Sequence, residues 1–85
     1  MKHAGAQALV QLEPLLAEVR QLAGLQERKP GIFYRRGQAF LHFHEDPAGL
    51  FADAKLDGPK FERFAVQTQE QQRELMRRLR ESLGA

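Results

Sequence analysis

His42 and His44 stand two residues apart in Ala39-Phe40-Leu41-His42-Phe43-His44-Glu45-Asp46-Pro47-Ala48-Gly49, an alternating stretch that closes in a turn. In an extended strand, side chains at i and i+2 share a face. The two imidazoles therefore stand side by side, roughly 7 Å apart at the backbone. Such a pair can grip a metal ion, share a proton or simply lie on a surface. If the chain doubles back at residues 46–49, Asp53 comes to lie opposite His42, as a third ligand or as the group that orients its ring. His42, His44 and Asp53 are thus the candidate ligand-binding residues. A metal needs at least three converging donors, and the third here depends on strand register, so no tightly bound metal and no cofactor are expected.

Other chemistry has fewer candidates. His42 with Asp53 is the one acid–base couple. Ser82 and Thr68 fall at a helix end and in a cap, poor places for a nucleophile. The chain has no cysteine, which removes disulfides, thiolate zinc sites and thiol nucleophiles. Gly31 and Gly37 serve turns and precede no helix, so no phosphate-cradling loop is present. A sandwich of this size leaves little room for an enclosed pocket, and an enzyme is not the expectation.

The elements that position these residues follow from periodicity. Eighty-five residues at 42% apolar and 28% charged content read as one globular domain, 1–85, with a modest core. Leu9, Val10, Leu12, Leu15, Leu16, Val19 and Leu22 recur at helical spacing. Pro14 either opens a helix over 14–23 after a separate turn or helix, or kinks one longer helix. Gly24 is placed to cap it. Residues 27–31 read as a polar link. Strands are expected at 31–35, 38–45, 50–56 and 61–66, with Arg36-Gly37 as a tight hairpin turn and Asp46-Pro47-Ala48-Gly49 as a type I turn. Reading Asp46-Pro47 as a helix start competes with this, but the alternation of Leu50, Ala52, Ala54 and Leu56 opposes it. Thr68-Gln69-Glu70-Gln71 fits a capping box for a last helix with a stripe of Leu75, Met76, Leu79 and Leu83, ended by Gly84. The fold class is α+β: a two-layer sandwich in the order α-β-β-β-β-α, with an antiparallel meander sheet and both helices on one face.

A two-residue first turn sets Phe33 opposite Phe40 and Ile32 opposite Leu41. Ile32, Tyr34, Ala39, Leu41, Phe43, Leu50, Ala52, Ala54, Leu56, Phe64 and Val66 then form the helix-covered face. The open face carries Phe33, Arg35, Phe40, Phe51, Phe61 and Arg63 as a candidate interface, beside Lys55 and the histidines. An exposed apolar patch marks a partner. A second copy of the chain is the first expectation, since association supplies buried area that a small domain lacks. Phenylalanines interleaved with Arg and Lys also suit a nucleic-acid strand. Arg73, Arg77, Arg78 and Arg80 add a basic helix, although Glu70, Glu74 and Glu81 are interleaved with them. The net charge of +2 permits a polyanion without demanding one.

The segments Lys29-Pro30-Gly31-Ile32-Phe33-Tyr34, Ala39 to Pro47 and Phe51-Ala52-Asp53 resemble a small family of uncharacterised bacterial proteins. The His-x-His strand is also similar to one near the centre of a luciferase-like domain. The helix–sheet–helix layout resembles frataxin-like and YjbR-like folds over nearly the whole chain, a likeness of fold that implies no activity. Frataxin-like iron binding uses an acidic first helix. Here that helix has only Glu13 and Glu18, so the role does not carry over. The resulting expectation is a bacterial, cytoplasmic binding or scaffold domain that self-associates through its sheet. No secretory signal is expected from the opening residues, and no apolar run reaches membrane-spanning length. Metal or small-ligand binding at the His-x-His strand is the first alternative, and nucleic-acid binding at the Phe/Arg face the second.

Overall fold

The computed structural model describes residues 2–84. The chain runs β1 (Lys2–His3), α1 (Ala6–Gln11), α2 (Glu13–Arg20), β2 (Gln26–Lys29), β3 (Ile32–Arg35), β4 (Gln38–Asp46), β5 (Gly49–Ala54), β6 (Glu62–Ala65) and α3 (Gln69–Leu83). Strands β2 to β6 form an antiparallel meander in sequence order, and β1 pairs with β4 alone. The fold is α+β, with helices on one side of an open sheet. Two strands exceed the sequence expectation. The polar link is in fact edge strand β2, whose residues carry no apolar alternation because an edge needs charge more than core. β1 is too short to carry any period. No helix among the described residues is long and apolar enough to cross a membrane.

The first helical region divides at Leu12, with Pro14 in the opening turn of α2. Pro14 lacks an N–H, which is harmless there and disruptive deeper in a helix. Leu12, Leu15, Leu16 and Val19 face the core, whereas Val10 is 74% exposed. The helix ends at Gln21, so Gly24 is no helix cap; it turns the chain into β2 with φ 90°. α3 starts as the sequence indicates. The Gln71 amide donates to Thr68 Oγ1 at 3.1 Å, and the Thr68 amide donates to Gln71 Oε1 at 3.0 Å. Gly84, left-handed at φ 74°, closes it.

The β4–β5 hairpin settles the register on which the role of Asp53 depended: His42 lies opposite Asp53, His44 opposite Phe51 and Asp46 opposite Gly49. Asp46 Oδ1 accepts the Ala48 amide at 2.8 Å, which fixes the turn. The β3–β4 hairpin departs from expectation. Arg35 pairs with Gln38 and Tyr34 with Ala39, but Phe33 pairs with Leu41. Phe40 is the extra residue of a bulge. A bulge shifts register by one, and a one-residue shift moves side chains to the opposite face. Phe33 is consequently a core residue, 1% exposed and edge-to-face with Phe43 at 6.4 Å, rather than part of an open interface. Phe40 is also withdrawn, 4% exposed and within the core cluster.

That single cluster joins Phe33, Leu41, Phe43, Ala52, Ala54 and Val66 of the sheet side to Ala8, Leu12, Leu15, Leu16 and Val19, and to Leu75, Met76 and Leu79 of α3. All three helices thus cover the same sheet face. Ala52 and Ala54, both fully buried, are small enough for close helix approach. The opposite face is left for the histidines.

Candidate functional site

The centre of the open face holds all three histidines of the chain. His42 and His44 project from β4, and β1 lays His3 directly opposite His44. The backbone holds this arrangement from both ends of Phe43. Its amide donates to the Gly31 carbonyl and its carbonyl accepts from the Ala4 amide, each at 3.0 Å. β3 and β1 therefore lie end to end along one edge of β4.

Ring centroids are 5.6 Å apart for His3–His42, 5.1 Å for His3–His44 and 5.9 Å for His42–His44. One nitrogen of each ring lies within 4.8 Å of the other two. A tetrahedral ion bound at 2.0–2.1 Å needs its nitrogens about 3.3 Å apart. Both ring nitrogens of His44 are shielded from water and lack an aligned hydrogen-bond partner. Unpartnered buried nitrogens are unfavourable unless something else engages them. The residues present thus fit a nitrogen-preferring divalent ion.

Asp53 occupies a different role from the third ligand anticipated. Its Oδ1 accepts from Arg63 Nε at 2.8 Å and its Oδ2 from Arg63 Nη2 at 3.0 Å, a two-pronged clamp. Although Asp53 pairs with His42 along the backbone, its Oδ2 approaches His44 Nε2, at 3.3 Å. Arg63 hydrogen bonding, opposed by burial, holds the carboxyl below its ordinary range. A charged carboxylate beside an imidazole fixes ring orientation and tautomer.

Burial, then repulsion from His3 and His44, pushes the His42 pKa down. Burial also lowers that of His44, against the opposing pull of Asp53. Both effects favour neutral imidazoles, the form that offers a lone pair to a metal. The walls of the site are Phe61, whose ring lies 5.1 Å from that of His42, and Lys55, whose Nζ stands 5.1 Å over the Phe61 ring.

Of the residues singled out from sequence, the fold brings His42, His44, Asp53, Arg63 and Phe61 together. Phe51 sits opposite His44 and is partly buried. Arg35 lies away from the site, at the β3–β4 turn, with its guanidinium 5.7 Å from the Phe40 ring. Phe33 and Phe40 are in the core. His3 is the residue sequence reasoning missed. Its only signal was that a third histidine remained unassigned.

No family model, curated protein or solved structure matches the chain.

Proposed function

We propose that this domain binds a divalent transition-metal ion, of the zinc class, through His3, His42 and His44. The observation that carries the reading is the convergence of three imidazoles from two strands on one face. Asp53 Oδ2, 3.3 Å from His44 Nε2, is placed to orient the His44 ring. Three protein nitrogens leave at least one coordination position to solvent, the pattern of sites that exchange ligands rather than closed structural ones. Imidazole donors without thiolate or further carboxylate suit zinc, copper or nickel better than calcium or magnesium. The withdrawal of Phe33 and Phe40 removes much of the apolar area on which self-association rested, and this favours the metal reading over a sheet-to-sheet dimer.

The test is titration of tag-free protein with Zn²⁺ by calorimetry, repeated with Co²⁺ for its ligand-field absorption. One ion per chain is expected, with binding lost in His3→Ala, His42→Ala and His44→Ala alike. Asp53→Asn should weaken affinity by about 10–100-fold. An ion that binds equally well to His3→Ala would overturn the three-histidine site, and absence of any binding heat would overturn metal binding itself.

A further inference from the structure

The charges of this molecule are unevenly paired. On the helical side carboxylates meet cations: Arg20 with Glu13 and Glu27, Arg77 with Glu74 and Glu81, Arg78 with Glu62, Arg80 with Glu18. Among the described residues, Arg28, Lys29, Arg35, Arg36, Lys55, Lys60 and Arg73 form no ion pair. All but Arg73 belong to the segment from β2 to the β5–β6 loop. The carboxylate at the centre of the open face, Asp53, is already clamped by Arg63.

These unpaired cations are interleaved with rings. The Arg28 guanidinium lies 4.2 Å over Tyr34, Lys55 Nζ 5.1 Å over Phe61, and Arg35 5.7 Å from Phe40. Phe61 is 41% exposed, a large ring presented to solvent. At the hairpin end, Arg35, Arg36, Gln38, Phe40 and Lys55 line an open cleft of about 350 Å³. Lys55 belongs to both cleft and open face, so the two are continuous.

The backbone adds an independent sign. Arg36 and Gly37 have φ 53° and 80°, the pair of left-handed residues of a type I′ turn. Asn, Asp or Gly fills the first of these positions with least strain. Here an arginine does, against local preference, and its charge lies at the mouth of the cleft.

We infer that this face and cleft bind single-stranded nucleic acid, independently of any metal. The unpaired cations neutralise phosphates, and the exposed Phe61 ring supplies a platform on which any base can stack. A duplex would offer the phosphates but not the base faces. Charge complementarity selects the occupant: a second copy would bring the same cations against these, and an apolar partner would leave them unpaired.

The experiment is fluorescence anisotropy of a labelled oligo(dT) about fifteen nucleotides long, with tag-free protein in EDTA so that no metal contributes. Binding near 10 μM at about 50 mM salt is expected, weakening steeply toward 200 mM. The double variant Arg35→Gln/Arg36→Asn should reduce the slope of log affinity against log salt by about 1.4, two phosphates at roughly 0.7 each. Arg36→Asn alone should raise the melting temperature while weakening binding, so loss of affinity cannot be blamed on misfolding. Phe61→Ala should weaken oligo(dT) at least about fivefold, the low end for loss of one stacked base, and leave binding of inorganic polyphosphate unchanged. No binding at low salt up to about 100 μM protein overturns the inference. So does equal affinity for duplex DNA, or indifference to Phe61→Ala, which would mark a general polyanion surface.

Discussion

His42 and His44 make the stability of this domain sensitive to mildly acidic pH. Their folded-state pKa values lie below the ordinary 6.5, mainly through burial. The unfolded chain therefore takes up protons more readily as pH falls. Stability is full above about 6.5 and declines as pH drops toward the lowered folded values. Urea midpoints measured from about pH 7.5 to 5 should fall, and a His42→Gln/His44→Gln variant should show a flatter profile. Identical profiles would mean the rings are not held as described. Asp53 acts in a lower window: its depressed pKa contributes stability above the ordinary carboxylate value that disappears only in stronger acid. At this scale the sequence was half informative. His-x-His spacing and the β4–β5 register placed His42 beside Asp53 correctly. It could not show that Arg63 occupies both carboxylate oxygens, because a clamp across a sheet depends on side-chain geometry that strand alternation does not specify.

The last helix and the turn of the second hairpin were legible because their signals are local, while that hairpin's register was left open. A capping box, an Asp-Pro-x-Gly turn and an alternating run each need only neighbouring residues. Thr68→Ala should cost on the order of 1 kcal/mol, read by denaturant unfolding. A change below a few tenths would show that the Gln71 side chain suffices as a cap. The first hairpin was misread because the bulge at Phe40 is a non-local compromise. Skipping one residue turns Phe33 inward onto Phe43 and leaves Tyr34 under Arg28. Phe33→Ala should cost about 3–5 kcal/mol, the range for a buried phenylalanine. An interface phenylalanine on an open face would lose far less, so the measurement separates the two placements. β2 escaped notice because a polar edge strand has the composition of a loop, and β1 because two residues have no period.

At the scale of the whole molecule, one sheet divides two kinds of surface. Its helix-covered side contains the apolar core and most of the ion pairs. Its open side contains every histidine, the exposed Phe61 and, over that ring, the unpaired Lys55. Such a division lets one face vary its chemistry while the other holds the fold. The helix-side pairs are exposed and worth little each, typically up to about 1 kcal/mol. Arg77→Ala should therefore change stability only slightly, and a loss above about 2 kcal/mol would show that the Glu74–Arg77–Glu81 array acts as a network. The pairing was invisible along the sequence, where acids and bases alternate within the same elements and meet only when strands and helices are stacked.

The hand-over at Phe43 also gives β1 a local opening of its own. β1 is tied to β4 over only a few residues, so its lifting away needs far less than global unfolding. The Ala4 amide, bonded to the Phe43 carbonyl, should exchange with solvent deuterium much faster than the Phe43 amide bonded to Gly31. An ion seated on His3 would tether that strand, and Ala4 exchange should slow once zinc is added.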